Sequence, residues 1–257
     1  MKGMAYNGWK QGLPDKFWPV TLDNFFDDPD EIRELGLHMM ESDEVVESRD
    51  EDGRWPGCRS EALWAKDEGL AQKIIIRILN CYFNLDVEKV FWNCSYIGFQ
   101  LIPSFDKDKN NIKNKGWIHR DSIDPWLSST LQIKDELAGL IYLTPDIERD
   151  TGTSLFNMKK DRVLSTYDNT EARKPLYKGD PVNDEELKEN WKEHRSGFIE
   201  KVRFENIYNR LIMYDPKEWH GVTNYYTPEN KDDRFTLLFF IEGIKANQMP
   251  LERIGNI

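Results

Sequence analysis

The sequence lacks the features that mark a membrane-spanning, exported or zinc-binding chain. No stretch approaches the roughly 18 consecutive apolar residues that a membrane span requires, and the N-terminus has no apolar core of the signal-peptide kind. The three cysteines, Cys58, Cys81 and Cys94, are widely spaced and include no CxxC pair of the zinc type. We therefore expect a cytoplasmic protein with reduced thiols and no contact with membranes.

Positive charge is also in deficit. The chain has 35 lysines and arginines against 46 aspartates and glutamates, so its formal net charge is −11. Binding of duplex nucleic acid normally requires a basic face that replaces counterions, and this composition argues against such a partner. Net charge says nothing about how charges are distributed, so a local basic groove is still compatible with the sequence.

The pattern of apolar residues in the sequence changes from helical to strand-like near residue 90. Before that point, residues 18–40 have a helical start signal at Asp28-Pro29, and residues 68–82 carry apolar side chains on one helical face. After it, short apolar runs are separated by Pro, Gly, Asn and Asp turns, which is typical of a β-sandwich or barrel. The predicted strands are 91–102, 137–144, 153–158, 209–215, 222–226 and 234–242.

The chain is expected to form a single domain, residues 1–257, because it has no internal repeat and no proline-rich linker. Residues 1–90 are expected to be an N-terminal helical support region. Residues 91–243 would then be the β-rich core and residues 244–257 a C-terminal tail. The fold class predicted from this pattern is α+β, mainly β.

An acidic stretch followed by Trp-Pro-Gly occupies residues 41–60. Its simplest interpretation is a solvated connection between elements. Within it we keep Trp55 and Arg59 in view as candidates for a functional role.

Two further polar segments interrupt the predicted strands. Residues 104–116 are rich in lysine and asparagine and have no periodicity, so we expect a mobile loop. Residues 165–200 should contain a short surface helix that Asn183 or Asp184 caps and that runs through Trp191. Each segment is compatible with a lid beside a site or with a tolerated surface excursion.

His119-Arg120-Asp121 is the most informative motif, since the chain has only four histidines. On a strand, Trp117, His119 and Asp121 would share one face. His220 follows a turn and lies 101 residues beyond His119 (220 − 119), which is enough for intervening strands to bring the two together. Alone, each residue is more often structural than a ligand. Together, two histidines and a carboxylate can occupy one face of an octahedral Fe(II) and leave positions for a co-substrate and O2.

Arg234 begins an apolar strand and would share a face with Thr236. A buried arginine is costly unless it finds an anion. A carboxylate bound in bidentate fashion beside the Thr236 hydroxyl would meet that need, and so would an ion pair with one of the many acidic residues.

In chain order, the segments WIHRDS, LAGLIYLTPD, DTGTSLF, YDPKEWHGVTNYY and RFT resemble the core of the 2-oxoglutarate- and Fe(II)-dependent oxygenases, in particular their prolyl-4-hydroxylase-like branch. The resemblance covers residues 91–243. It implies a double-stranded β-helix core, the jelly-roll or cupin-like fold. It also implies an oxidoreductase, a dioxygenase that uses Fe(II), 2-oxoglutarate and O2, hydroxylates a small-molecule or peptide substrate, and releases succinate and CO2.

The same resemblance implies that His119, Asp121 and His220 are the catalytic iron ligands. Asp121 favours hydroxylation, because related halogenases carry a small residue at this position. Two departures bear on the subfamily and the substrate. Residues 150–153 read Asp-Thr-Gly-Thr, with one glycine where the family usually has two, and Thr144 stands where asparagine is usual.

The co-substrate residues also follow from the resemblance. Arg234, supported by Thr236, would bind the distal carboxylate of 2-oxoglutarate. Tyr142 matches a strand tyrosine that often donates a hydrogen bond to that carboxylate. Gln100, or its same-face neighbour Ile102, would lie near the co-substrate.

Two alternatives belong to other classes. One is a non-catalytic module that kept the barrel, and the other is a cupin-like metal-binding protein that uses no 2-oxoglutarate. Cupins generally have more histidines near the metal, and here only His38 and His194 are left over. Pocket walls are expected from aromatic residues near the ligands, with core packing as the default alternative: Trp117, Phe156, Trp219 and Tyr225. The prime substrate and the oligomeric state are left open.

Overall fold

A computed structural model describes residues 17–42, 44–47, 52–87, 89–121, 135–160, 170–229 and 231–246. The first 16 residues of the predicted support region and residues 247–257 of the predicted tail lie outside this part of the chain. So do residues 165–169 of the second polar segment. In the described part, no helix has the length and apolar character that crossing a membrane requires.

The helices begin where the sequence offers capping groups. Asp28 accepts a hydrogen bond from the backbone N–H of Glu31, and Asp67 accepts one from Leu70. Asn183 accepts hydrogen bonds from two backbone N–H groups at the start of the helix predicted in the second polar segment, which confirms that helix and its cap. The helices are α1 (Pro29–Met39), α2 (Leu63–Lys66), α3 (Glu68–Leu79), α4 (Thr170–Lys178) and α5 (Asp184–Ser196).

The strands form two antiparallel sheets, so the chain is a mixed helix and sheet structure that is mainly sheet, as its composition of elements predicted. The strands are β1 (Val20–Leu22), β2 (Val46–Glu47), β3 (Cys58–Arg59), β4 (Val90–Ile102), β5 (Asp135–Tyr142), β6 (Thr153–Met158), β7 (Phe198–Phe204), β8 (Leu211–Tyr214), β9 (Trp219–Val222) and β10 (Arg234–Ala246). The larger sheet has the order β1-β8-β5-β10-β4-β3-β2 and the smaller one β7-β6-β9.

The predicted strand at 222–226 is wrong. The strand is β9, which ends at Val222, because the following backbone donates its hydrogen bonds to loops. Thr223 N–H bonds the carbonyl of Gly152, and Tyr225 N–H bonds that of Asn114. The support region also differs from a purely helical one, since it contributes β1, β2 and β3 to the larger sheet. The three cysteines are free, as expected.

One face of the larger sheet packs on α1 and α3. Alternate residues of β10 point to this side, so Phe235, Leu237 and Phe239 lie in the same core as the buried face of α3. Phe235 stacks on Phe99 of β4, with 5.5 Å between ring centroids. The opposite face of β10 carries Arg234, and it is therefore left for the functional site.

Gly36 on α1 provides a test of this packing. A Cβ there would lie 2.5 Å from the Phe99 ring and 2.8 Å from Phe235. In an exposed helix Gly→Ala stabilises by up to about 1 kcal/mol, but overpacking against a stacked pair costs about 1–3 kcal/mol. We expect Gly36→Ala to lower the free energy of unfolding in urea titrations, whereas Gly69→Ala, at an exposed position of α3, should not. Equal behaviour of the two variants would contradict the described contact.

The other face of the larger sheet meets the smaller sheet. Tyr142 and Tyr214 of the larger sheet share a buried cluster with Leu155 of β6 and Phe204 of β7. The two sheets thus enclose a cavity of about 330 Å³ that is lined by residues of both, and the predicted site lies there.

Candidate metal centre and adjoining cavity

The two histidines of the predicted triad are joined through their backbones. His119 N–H donates to the carbonyl of His220 at 2.8 Å, and His220 N–H donates to that of His119 at 2.9 Å. Asp121 N–H bonds the carbonyl of Pro216 at 3.2 Å. The expected strand at 117–121 is therefore reduced to a single bridge against β9. One bridge is sufficient to bring residues 101 positions apart into contact.

The side chains of His119, Asp121 and His220 converge. Their candidate ligand atoms all lie within 4.8 Å of one another. Nε2 of His119 is 3.6 Å from one carboxylate oxygen of Asp121, and Nε2 of His220 is 3.2 Å from the other. His220 is almost fully buried, while His119 and Asp121 are 28% and 19% exposed. The group is thus closed on one side and open towards the cavity.

Hydrogen bonds at the opposite ring atoms fix the imidazole tautomers. Nδ1 of His119 lies 2.9 Å from the carbonyl of Trp117, and Nδ1 of His220 lies 2.9 Å from that of Glu218. A carbonyl only accepts, so each Nδ1 carries a proton and each Nε2 is the ring atom that faces the Asp121 carboxylate. A divalent cation that replaces any proton shared between these atoms would find two imidazole nitrogens and a carboxylate, the facial donor set that suits non-haem Fe(II).

The charge states of the group agree with that fit. Burial, followed by the neighbouring His220, lowers the pKa of His119 to about 4, so it is a neutral ligand at pH 7. Burial would raise the pKa of Asp121, but the two imidazoles outweigh it and hold that pKa well below its usual range. For His220, burial lowers the pKa, but Asp121 and the Glu218 carbonyl raise it by more, so the pKa of His220 lies above its usual value. Bound metal would compete with the proton on His220.

Arg234 lies at the cavity with part of its hydrogen-bonding capacity unused. It is 1% exposed, and its Nε donates to the carbonyl of Thr151 at 3.3 Å. Its Nη2 and the hydroxyl of Thr236 are both buried and have no hydrogen-bond partner among the described residues. Unpaired buried donors of this kind are costly, and a carboxylate positioned at the guanidinium would satisfy them.

Gln100, Thr236 and Tyr142 form a row across three strands. Thr236 of β10 pairs with Gln100 of β4 on one side and with Tyr142 of β5 on the other, so the three share one face. Gln100 and its same-face neighbour Ile102 line the cavity. The side-chain amide of Gln100 donates a hydrogen bond to the backbone carbonyl of Pro56 at 2.8 Å. Tyr142 lies one layer deeper and donates its hydroxyl to Thr153, which lines the cavity, at 3.0 Å. Burial raises the pKa of Tyr142.

Arg59, which the sequence singled out with Trp55, also reaches the cavity. Both line it, and the Arg59 guanidinium lies 4.3 Å from the centre of the Trp55 ring. Gly57 makes this approach possible, since its φ is +71° and a Cβ there would lie 2.0 Å from the carbonyl oxygen of Leu101. Arg59 consequently pairs with Gln100 at the edge of β4. Burial lowers the pKa of Arg59.

Sequence reasoning missed the contribution of α4. Arg173 and Tyr177 of this helix line the cavity, and the Tyr177 hydroxyl lies 3.1 Å from that of Tyr225. The charged residues of this polar segment do not indicate in the sequence that α4 borders a cavity, because the position of α4 depends on tertiary packing. Of the aromatic residues expected as pocket walls, Tyr225 lines the cavity. The others pack in neighbouring buried clusters: Trp117, Phe156 and Trp219.

The segment 104–116, expected to be a mobile loop, is folded around one buried side chain. The Asn114 amide accepts hydrogen bonds from the backbone of Phe105 and Asp106 and donates to the carbonyls of Asp106 and Asp108. Its own carbonyl accepts from Tyr225 at 2.7 Å. Asparagine can satisfy all of these contacts at once because it offers both donors and acceptors. The approach to His119 is therefore fixed by hydrogen bonds.

Neither leftover histidine belongs to the metal group. The His38 side chain is 75% exposed on α1, and His194 is buried on α5 with Nε2 2.8 Å from the carbonyl of Ile118. Among the described residues, the group of His119, Asp121 and His220 is the one found with metal-ligand geometry.

No protein-family model and no curated protein matches this sequence. Among solved structures, the chain is similar to "prolyl hydroxylase in complex with hypoxia inducible factor oxygen degradation domain peptide fragment from Trichoplax adhaerens". The identity is 12% and the TM-score 0.48, over 93% of this chain and 86% of that one. A likeness at this level identifies no activity and no substrate for this chain.

Proposed function

We propose that the protein is a 2-oxoglutarate- and Fe(II)-dependent dioxygenase that hydroxylates a small-molecule or peptide substrate. The observation that carries the proposal is the convergence of two sites in one cavity. His119, Asp121 and His220 offer three metal-ligand atoms within 4.8 Å. Arg234 lines the same cavity, and it and Thr236, two residues further along the same face of β10, hold buried donors without partners among the described residues.

The residues divide the work as follows. His119, Asp121 and His220 would hold the metal, and Arg234 with Thr236 would hold the distal carboxylate of 2-oxoglutarate. Gln100 would contact the co-substrate directly, whereas Tyr142 would act through Thr153, to which it already donates. When bound, Fe(II) with 2-oxoglutarate and O2 supplies the oxidising chemistry, and succinate and CO2 are the co-products.

Other groups of the chain would orient the metal ligands and limit the access of water to the metal. The carbonyls of Trp117 and Glu218 orient the two imidazoles, and this kind of support typically changes metal affinity or activity 10–100-fold. Apolar side chains of the two sheets also line the cavity and would limit the access of water to the metal: Leu140, Val222, Leu238 and Phe240.

The proposal extends to the fold. We propose that the two facing sheets are a double-stranded β-helix within a single domain and that the protein is cytoplasmic. The antiparallel order β8-β5-β10-β4 facing β7-β6-β9, with the metal group between them, supports this architecture.

The test combines calorimetry with product analysis. With Mn(II) present, the protein should bind 2-oxoglutarate, and with Fe(II) and O2 it should form succinate slowly even without prime substrate. His220→Ala should lose both properties, while the matched control His38→Ala should keep them. Metal binding without 2-oxoglutarate binding would favour the cupin-like alternative, and the absence of both would favour a non-catalytic module.

A further inference from the structure

The cavity beside the metal group is basic in a protein that is acidic overall. Of the described residues that line it, five are arginines and one, Asp121, is acidic. The chain as a whole has a net charge of −11. The lining arginines are Arg54, Arg59, Arg120, Arg173 and Arg234.

The proposed co-substrate does not account for this excess of positive charge. A divalent metal, the Asp121 carboxylate, dianionic 2-oxoglutarate and Arg234 cancel one another. Of the four other arginines, Arg54 and Arg120 have further interactions of their own, whereas Arg59 and Arg173 make no ion pair with a described residue. An unneutralised guanidinium that has lost its water is unfavourable, so two of them indicate a further negatively charged ligand.

The Arg59 guanidinium is positioned by aromatic rings and has an unused hydrogen-bond donor. Its guanidinium stacks on Trp55 and lies 5.9 Å from the Tyr96 ring. Its Nε is buried and has no hydrogen-bond partner among the described residues. Aromatic faces hold a cation in place but accept no N–H···O bond, so the planar fork is still available to an oxyanion.

Arg173 is in a similar state on α4. It is 8% exposed, and its guanidinium lies 5.5 Å from the Tyr177 ring. Its Nε is also buried without a partner in the described part of the chain. The two arginines come from separate elements, β3 and α4, and both border the cavity.

Arg59 is placed apart from the proposed co-substrate arginine. Arg59 pairs with Gln100, whereas Arg234 pairs with Ile102 on the far side of β4, so their Cα atoms are roughly 12 Å apart. The Arg59 guanidinium lies against the Trp55 ring, whereas that of Arg234 lies 5.4 Å from the ring of Tyr142 on β5, the strand on the other side of β10 from β4. A carboxylate held at Arg234 would therefore leave Arg59 unoccupied.

We infer that the prime substrate carries an oxyanion, a carboxylate or a phosphate- or sulfate-type group, which Arg59 and Arg173 bind. This inference rests on the proposed function, since it assigns the substrate class of the same site. The cavity volume of about 330 Å³ is at the lower end of the roughly 300–1,000 Å³ typical of ligand pockets. 2-Oxoglutarate would occupy part of this volume, and the remainder would fit a small anion or the anionic end of a longer molecule.

The test uses wild-type protein loaded with Mn(II) and saturating 2-oxoglutarate, titrated calorimetrically at constant ionic strength. Sulfate represents a phosphate or sulfate ester, and acetate represents a carboxylate, so the two arms distinguish the sources of the anion. We expect saturable binding of at least one. Arg59→Gln and Arg173→Gln should each weaken it at least about tenfold, as loss of a charged hydrogen bond does. Arg149→Gln, a side chain that is 72% exposed, is the matched control.

The affinity for 2-oxoglutarate separates the possible outcomes. In Arg59→Gln it should stay within about threefold of wild type, and a loss similar to that of an Arg234 variant would overturn the inference. Arg59→Lys, which keeps the charge without the fork, guards against a folding defect and should bind the anion with intermediate affinity. If the protein binds 2-oxoglutarate but neither sulfate nor acetate, the inference of an anionic substrate is overturned and the proposed function is kept. Absence of 2-oxoglutarate binding overturns the proposed function as well.

Discussion

Replacement of Asp121 by alanine is expected to abolish metal binding and, with it, turnover of 2-oxoglutarate. Its carboxylate faces Nε2 of both histidines, at 3.6 and 3.2 Å, and it is the only negative charge among the three candidate ligands. Loss of a supporting hydrogen bond alone costs metal sites 10–100-fold. For a ligand itself we expect Mn(II) affinity to fall at least about 100-fold, measured by calorimetry.

The matched control for this variant is Asp180→Ala, because Asp180 is exposed after α4. It should bind Mn(II) and form succinate as wild type does. Circular dichroism on both variants separates loss of metal from loss of fold. An Asp121→Ala protein that kept wild-type Mn(II) affinity would remove Asp121 from the site, and the proposed triad with it.

Arg234→Gln is expected to lose 2-oxoglutarate binding while it retains the metal. The guanidinium is buried, one of its terminal nitrogens has no partner among the described residues, and Thr236 offers a second unused donor. Removing one member of a buried, hydrogen-bonded charge pair costs about 2–5 kcal/mol, which corresponds to about 30–5,000-fold in affinity. Calorimetric titration of the Mn(II)-loaded variant with 2-oxoglutarate measures this loss.

Two further variants make the result specific. Arg234→Lys keeps a positive charge but loses the bidentate fork, so it should bind 2-oxoglutarate with intermediate affinity. Arg203→Gln, whose side chain is 53% exposed, should behave as wild type. If Arg234→Gln bound 2-oxoglutarate normally, the co-substrate would have to lie elsewhere in the cavity, and Arg59 or Arg173 would be the next candidate.

The parts of the site that the sequence predicts are those that local chemistry specifies. The spacing of His119 and Asp121, and the arginine at the head of an apolar strand, limit what those residues can do. Cross-strand neighbours are different, because the row of Gln100, Thr236 and Tyr142 depends on a register that only the folded sheets define. The role predicted for Tyr142 stays a prediction, and its hydrogen bond to Thr153 could not be predicted from the sequence.

Other features were beyond sequence reasoning for reasons of length and context. Strands β2 and β3 have two residues each, too few for a period-two pattern, yet β3 carries Arg59 to the cavity. Arg173 lies in a polar segment that reads as a surface excursion, and its burial follows only from the position of α4. Trp117 was expected on the site face and instead packs in the cluster with Leu176, Leu187 and Tyr225.

The backbone bridge between His119 and His220 has a consequence for the unfolded chain. A metal held by both histidines would act as a removable crosslink that closes a loop of 101 residues, and β5 to β8 lie within that loop. Closing a loop of about 100 residues reduces the entropy of an unfolded chain by the equivalent of about 4.7 kcal/mol in the simplest polymer model. Metal release would therefore lower the stability of the segment between the two histidines, strands β5 to β8, far beyond the three residues that touch the ion.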